Sequence, residues 1–234
     1  MQQFSRTKLI IGQAGLDRLR TSKVAVFGLG GVGSFAAEAI ARVGVGRILL
    51  VDYDVVCLTN INRQLHATIE TIGQPKVKLM KERILAINPD AQVEVLQERY
   101  LPDTAERLFP KDAHYIIDAI DDVPGKLSLA QKAWQTNTPI ISAMGTGNKL
   151  DPLKFKVVDI FSTSTDPLAR VMRKKLRAFG IPALKVVCSE EMPRVPQWLE
   201  GDKQLPGSIS FVPPTVGLIL AGEAVRGLLD EILS

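Results

Sequence analysis

Short apolar runs alternate with amphipathic segments along the first 150 residues of the chain. Strands are predicted at residues 24–27, 48–51, 93–96, 114–120 and 139–143. Helices are predicted after residue 33 and at residues 75–88, 102–109 and 124–137, where apolar side chains recur on one face. Strands that alternate with helices in this way are typical of a parallel sheet with right-handed crossovers. We therefore expect an α/β fold with a Rossmann-like, doubly wound, mainly parallel sheet.

The pattern changes after Gly147. Further strands are predicted at residues 154–160, 183–188 and 208–212, and we expect them to pair antiparallel and extend the sheet in the C-terminal part. A helix is predicted from Asp166, a favourable N-cap residue, to Phe179. A long proline-containing loop at residues 190–207 precedes a last helix at residues 212–233. Residues 1–22 are mostly polar and are assigned no element.

The first predicted strand runs into a glycine-rich turn that contains Gly28, Gly30, Gly31 and Gly33. A helix and a second strand follow, and that strand ends at Asp52. This layout is typical of the nucleotide-binding half of a Rossmann-type sheet, where glycines let the backbone approach a polyphosphate and a carboxylate binds the ribose hydroxyls. The alternative is a tight strand-to-helix turn that binds no ligand.

Composition and charge bear on three possibilities: an anionic partner, a structural zinc site and a membrane span. Hydrophobic residues make up 46% of the 234 residues and the net charge is +4, which permits an anionic partner without requiring one. The two cysteines, Cys57 and Cys188, form no CxxC pair, which excludes a structural zinc site of that type and favours a reducing, cytoplasmic location. No secretory leader is recognised. Glu223 and Arg226 interrupt the apolar segment at residues 215–233, so we expect a buried helix and no membrane span.

Polar residues that suit a triphosphate follow the glycine turn. They are Asn60, Arg63, Gln64, Lys76 and Asp121. Cations neutralise the phosphates and a carboxylate holds Mg²⁺, whereas a hydride-transfer site needs neither. Two alternatives stay open from the residues alone: a nicotinamide-dependent dehydrogenase and a non-catalytic nucleotide-binding scaffold.

Five motifs carry a family resemblance: GxGGVGS, Asp52, NxNRQ, GxxK and DAID, in this order between residue 4 and about residue 150. They resemble the ATP-dependent adenylating enzymes related to ubiquitin-activating enzyme, the MoeB/ThiF/HesA superfamily. Within it, NRQxHA, DAIDxVxxK and Asp166-Pro167-Leu168 with a basic helix are most similar to the tRNA threonylcarbamoyladenosine dehydratases. The resemblance implies one ThiF-type adenylating domain over residues 1–234. Residues 1–150 would be the nucleotide-binding half, and residues 151–234 the half for substrate recognition and dimerisation.

The same resemblance implies roles for individual residues, with ATP and Mg²⁺ as cofactors. The nucleotide-binding set is Gly28, Gly30, Gly31, Gly33, Asp52, Asp54, Asn60, Arg63, Gln64, Lys76 and Asp121. Lys76 would stabilise charge at the α-phosphorus, and Asp121 would hold Mg²⁺. The catalytic set is Arg63, Lys76, Asp121 and Arg6. Arg6 would reach the phosphates of the partner subunit in a homodimer, or else be a solvated residue near the N-terminus.

The implied reaction is ATP-dependent adenylation and cyclising dehydration of the threonylcarbamoyladenosine modification beside the anticodon of a tRNA, with release of pyrophosphate and AMP. The alternative is adenylation of the C-terminal Gly-Gly of a ubiquitin-like sulfur-carrier protein. Cys188 is either a nucleophile, as in many relatives, or a buried cysteine at a strand end.

The predicted helix at residues 166–179 is the one candidate for an RNA-binding surface. Arg170, Arg173, Lys174 and Arg177 would lie on its outer side, either against tRNA phosphates or as a solvated face. The apolar residues expected to face the core are Leu168, Val171, Leu176 and Phe179. Trp198, in the proline-containing loop, would either stack on a base or anchor the loop.

Overall fold

A single seven-stranded sheet runs through the computed structural model, which describes residues 2–195 and 206–233. The strands are β1 (Lys23–Phe27), β2 (Arg47–Val51), β3 (Gln92–Leu96), β4 (Tyr115–Asp118), β5 (Ile140–Ala143), β6 (Phe155–Asp159) and β7 (Lys185–Ser189). Their order across the sheet is β3-β2-β1-β4-β5-β7-β6. Every pairing is parallel except β6 with β7. The sheet confirms the predicted α/β fold.

Helices cover both faces of this sheet. They are α1 (Ser5–Thr21), α2 (Gly33–Val43), α3 (Lys76–Ile87), α4 (Ala105–Leu108), α5 (Val123–Gln135), α6 (Pro167–Ala178) and α7 (Val212–Leu233). The side chains of α2, α3 and α7 share one apolar core with Val26 and Leu50, and those of α4 and α5 share another with Ala25 and Leu49. Alternate strand residues thus enter opposite cores, which is why β1 and β2 are apolar after their first residues.

Strand β1 lies between β2 and β4, and the chain winds outward from it in both directions. The two βαβ crossovers on either side of β1 therefore leave a crevice at the carboxyl ends of β1 and β4. In open sheets of this kind, ligands bind in such a crevice. The fold places the glycine turn, which follows β1, at that position.

The last helix, α7, has its predicted bounds, but the strand predicted just before it does not form. Residues 208–212 form no strand, because α7 begins at Val212 and Pro213 and Pro214 occupy its first turn. Proline cannot donate a ladder hydrogen bond but suits a first helical turn, so this local sequence favours the helix. Helix α7 has the length and the mean hydropathy, 1.3, of a membrane span, but 56% of that window is buried against the rest of the protein.

The C-terminal strands and α6 correct two further predictions. Only β6 is antiparallel, since β7 runs parallel to β5. On α6 the buried stripe consists of Ala169, Met172 and Leu176, whereas Val171 and Phe179 are exposed. The unassigned N-terminal region forms α1, which buries little more than Leu16 and Leu19. Residues 196–205 of the predicted loop, with Trp198, lie outside the described residues.

Candidate active site

A cavity of about 600 Å³ lies at the carboxyl ends of β1, β2, β4 and β5. The predicted site residues that line it are Gly28, Gly30, Gly31, Asp52, Asp54, Asn60, Arg63, Gln64, Lys76 and Asp121. Its far wall comes from the C-terminal half of the chain, through Lys149, Asp166, Pro193 and Gly207. The cavity therefore has two ends, one at the glycine turn and one beside the start of α6.

The glycine turn is built so that backbone lies against backbone. Gly28 has a φ of 84°, and a Cβ atom there would lie 2.5 Å from the carbonyl oxygen of Ala119. At Gly33 a Cβ atom would lie 1.7 Å from the carbonyl oxygen of Gly28. Gly33 does not line the cavity, so its role is to let α2 start close to β1, as the third glycine of such turns does.

Asp52 follows β2 directly and is 8% exposed. Its Oδ2 accepts the N–H of Leu29 at 2.5 Å, and its Oδ1 accepts the N–H of Asp54 at 2.8 Å. Burial raises the pKa of Asp52, and the nearby Lys76 ammonium opposes that shift. Each carboxylate oxygen keeps a further lone pair, which suits it to accept the hydroxyl of a ribose.

Lys76, the first residue of α3, is held at the cavity wall by Asp54. Its Nζ lies 2.7 Å from Oδ2 of Asp54, and the lysine side chain is 5% exposed while that of Asp54 is 42% exposed. A buried ammonium needs such a partner. Asp54 therefore orients Lys76, a function that motif reasoning did not assign to it.

The segment from Asn60 to Gln64 lines the cavity beside the glycine turn, since a Cβ atom at Gly31 would lie 3.2 Å from the Arg63 carbonyl oxygen. The Arg63 guanidinium donates to the Thr59 carbonyl oxygen and to Oδ1 of Asn62, each at 2.9 Å. Oε1 of Gln64, which is 6% exposed, has no hydrogen-bond partner among the described residues. A buried acceptor left open in a cavity wall fits a polar group of a bound ligand.

Asp121 is the exposed carboxylate of the cavity rim beyond β4. The neighbouring Asp122 is engaged as the N-cap of α5, because it accepts the N–H of Gly125 at 2.8 Å. Within residues 2–195 and 206–233 no group of three His, Cys, Asp or Glu side chains is arranged as a metal site. Asp121 therefore fits a Mg²⁺ ion that is held mainly by phosphate oxygens and by one carboxylate.

A buried ion pair fixes the cavity floor. Nζ of Lys126, on α5, lies 2.8 Å from Oδ2 of Asp118, and both side chains are 0% exposed. Ser142 on β5 donates to the same oxygen at 2.5 Å, while Oδ1 of Asp118 accepts the N–H of Ile120 at 3.0 Å. The DAIDxVxxK pattern thus joins β4, β5 and α5 beneath the site.

A second buried pair, Lys149 with Asp166, closes the far end. Nζ of Lys149 lies 2.8 Å from Oδ2 of Asp166, with both side chains 1% exposed, and donates to the Gly145 carbonyl oxygen at 2.5 Å. Asp166 also caps α6 through the N–H of Ala169 at 2.9 Å. Sequence reasoning identified Asp166 as a cap and as part of a family motif, but it did not pair Asp166 with Lys149, because nothing local links residues that are 17 positions apart.

Asn148 holds the segments on either side of residues 196–205. Its backbone has a φ of 59°, a left-handed conformation that is uncommon for a residue other than glycine. The N–H of Gly207 donates to its Oδ1 at 2.6 Å, and the N–H of Arg194 donates to its carbonyl oxygen at 2.7 Å. The positive φ is maintained by these bonds, which shape the far wall of the cavity.

Tyr53 and Arg99 were also missed by sequence reasoning. They line the rim next to Asp52, and the Arg99 guanidinium lies 5.2 Å from the centroid of the Tyr53 ring. Burial and the neighbouring Asp54 carboxylate raise the pKa of Tyr53. Their positions in the sequence could have predicted this location, because Tyr53 follows β2, Arg99 follows β3, and the carboxyl ends of both strands face the crevice.

Three other candidates lie away from the cavity. Arg6 is exposed in the first turn of α1 and does not line the cavity of its own chain. Cys188 is 5% exposed, and burial raises the pKa of its thiol to about 11, which favours the buried-cysteine interpretation. Cys57, the other cysteine, is exposed.

Comparisons with known proteins find relatives of this chain by sequence and by structure. The sequence model of the ThiF family matches residues 4–232. The tRNA threonylcarbamoyladenosine dehydratase of Bacillus subtilis is 47% identical over 245 residues, which cover 99% of this chain and 96% of that protein. The crystal structure of Escherichia coli tRNA N6-threonylcarbamoyladenosine dehydratase, TcdA, in complex with ATP matches with a TM-score of 0.92 at 33% identity, covering 99% of this chain and 96% of that one. The sulfur carrier protein ThiS adenylyltransferase of E. coli is 34% identical over 152 residues, 63% of this chain and 60% of that protein.

Proposed function

This chain belongs to the ThiF family, and we propose that it uses ATP to adenylate and cyclise the threonylcarbamoyladenosine modification of tRNA. The substrate carboxylate attacks the α-phosphorus of ATP and pyrophosphate leaves. A nitrogen of the same modification then attacks the activated acyl carbon, a ring closes, and AMP departs. The net change is the loss of one water from the modification at the expense of ATP.

The two-ended cavity is the observation that carries this proposal. Its glycine-turn end presents Asp52, Arg63 and Lys76, which suits a ribose and a triphosphate. Its other end, walled by Asn148 and by the Lys149–Asp166 pair, leaves room beside the phosphates for an acceptor. A site that holds both reactants in one crevice gains most of its rate from positioning and from fixed charges.

Within this proposal the cations act on the phosphates. Lys76 and Arg63 stabilise the negative charge that develops as pyrophosphate leaves. Asp121 would hold Mg²⁺, and the metal would neutralise negative charge on the phosphates. Cys188 takes no part, because a thiol with a pKa of about 11 is protonated near neutral pH.

A second copy of the chain completes the proposed site. Arg6 lies on an exposed helix turn and away from the cavity of its own chain, so a contact with phosphates requires a partner subunit. We propose a homodimer in which the C-terminal half, residues 151–234, supplies substrate recognition and part of the contact. A cytoplasmic location belongs to the same proposal.

The proposal is tested by AMP formation. The chain is incubated with ATP, Mg²⁺ and one of three acceptors: tRNA that carries the threonylcarbamoyl modification, the same tRNA without it, or a Gly-Gly-ended carrier protein. We expect AMP and pyrophosphate only with the modified tRNA. Pyrophosphate release with the carrier protein, whose acyl-adenylate would retain the AMP, would support the alternative, which is consistent with the 34% identity to the ThiS enzyme.

Lys76 offers a variant with a matched control. Lys76→Gln should lower the rate of AMP formation by about 10²–10³-fold, the usual cost of removing one preorganised charge from the transition state. Lys78→Gln, on the exposed side of the same helix with its side chain 62% exposed, should leave the rate unchanged. Equal rates for the two variants would rule out the role given to Lys76.

A further inference from the structure

Helix α6 concentrates positive charge. Its 12 residues include five cations, Arg170, Arg173, Lys174, Lys175 and Arg177, and no acidic residue. Among the described residues, none of the five lies within ion-pair distance of a carboxylate. The helix therefore carries five positive charges that no carboxylate of the described residues neutralises.

Four of the cations share one side of the helix. Arg170, Arg173, Lys174 and Arg177 recur at i, i+3, i+4 and i+7, the spacing of one helical face. We call these four residues the basic face. Lys175 lies about 140° from Arg170 around the axis, at 100° per residue, and so lies on the other flank of the helix.

Two members of the basic face are held in place by their surroundings. The Arg173 guanidinium donates to the hydroxyl of Thr163. The Arg177 guanidinium lies 5.1 Å from the centroid of the Phe161 ring. Neither contact neutralises charge, so both arginines are oriented and still available to an anion. Because these two side chains are already ordered, they lose less conformational entropy when a polyanion binds.

The helix also starts at the cavity. Pro167 and Leu168, its first two residues, line the far end, and the buried Lys149–Asp166 pair fixes the N-terminus. From there α6 extends about 18 Å, at 1.5 Å per residue. If the modification of a nucleoside enters the cavity, the phosphates that flank this nucleoside remain outside. The basic face of α6 extends from the cavity entrance and lies where these phosphates would be.

We propose that the basic face binds the tRNA phosphates that flank the modified adenosine. This inference rests on the proposed function and adds where the tRNA backbone lies. For a single-stranded segment, each neutralised phosphate contributes about 0.7 to the slope of log K against log salt. Losing two such contacts therefore lowers the slope by about 1.4, and the affinity at about 0.1 M salt by about 25-fold.

The test compares Arg170→Gln/Lys174→Gln with Lys175→Gln. Both replaced residues of the double variant are exposed and have no hydrogen-bonded side-chain partner among the described residues, so folding should be preserved. We expect the double variant to raise the KM for modified tRNA about 25-fold at about 0.1 M salt, with kcat and ATP binding unchanged and a flatter salt dependence. Lys175→Gln, the control on the same helix, should stay close to the wild type.

The free modified nucleoside, which has no phosphates, separates the outcomes. Wild type and double variant should use it equally well. The role of the basic face would be overturned if the double variant kept the wild-type KM and salt slope on tRNA, or if it were equally impaired on the nucleoside. In either case, AMP formation by the wild type would still support the proposed function. If the wild type forms no AMP with modified tRNA or nucleoside, the proposed function itself fails.

Discussion

His66 should make the stability of this protein depend on pH in a way that can be calculated. The imidazole is 6% exposed, and neither ring nitrogen has a hydrogen-bond partner among the described residues. Burial, followed by the positive charges of Lys76 and Arg83, lowers its pKa to about 4. The unfolded chain has the ordinary value of about 6.5, so between about pH 4 and 6.5 the unfolded state binds more protons than the folded state.

Stability therefore rises with pH across this window and is lost as the pH falls. For one group with these two pKa values, protonation stabilises the unfolded state relative to the folded state by about 0.2 kcal/mol at pH 7 and by about 2 kcal/mol at pH 5. Acidification from about pH 7 to 5 should thus remove about 2 kcal/mol of the free energy of unfolding through His66 alone.

The assay is urea unfolding at both pH values for the wild type, His66→Gln and His114→Gln. The loss of stability on acidification should be about 2 kcal/mol smaller in His66→Gln than in the wild type, whatever that variant's stability at neutral pH. His114 is the second of the two histidines and is less buried, so its variant should keep most of the loss. A His66→Gln variant that loses as much stability as the wild type would refute the reasoning.

Three further predictions concern the floor, the glycine turn and the thiol. Lys126→Met should lower the free energy of unfolding by about 3–5 kcal/mol in urea titrations, because it leaves a fully buried carboxylate without its partner. Gly33→Ala should abolish ATP binding in a calorimetric titration, because its Cβ atom would lie 1.7 Å from the Gly28 carbonyl oxygen. The control Gly222→Ala, whose Cβ atom would have no neighbour within 4 Å, should bind ATP normally. Normal ATP binding by Gly33→Ala would contradict the packing argument. Cys188→Ser should retain the rate of AMP formation, and a rate lowered by a hundredfold or more would restore the nucleophile hypothesis.

Features that depend on local sequence were predictable. The glycine turn, Asp52 and Lys76 follow strands or start helices, so their place at the crevice follows from the strand–helix pattern and from the rule that parallel strands end together. The central parallel strands were equally predictable, because burial on both faces makes most of their residues apolar. The family motifs then separated an adenylating site from a dehydrogenase site.

Features that depend on long-range packing were not predictable. The Lys149–Asp166 pair joins two loops that approach each other only after β5, β6 and α6 are assembled. The direction of β7 depends on its docking beside β5, since an apolar run fits a parallel or an antiparallel place equally well. Val171 and Phe179 are apolar yet exposed, because α6 buries a stripe of only three side chains.

The proposed reaction depends on activation of the modification's carboxylate as an acyl-adenylate. A modified tRNA whose carboxylate carries a heavy oxygen isotope tests it directly, because the bridging oxygen of an acyl-adenylate leaves with AMP. After one turnover with ATP and Mg²⁺, mass spectrometry should find one labelled oxygen in the AMP and a modification lighter by one labelled water. Unlabelled AMP, or label found in pyrophosphate, would contradict the account.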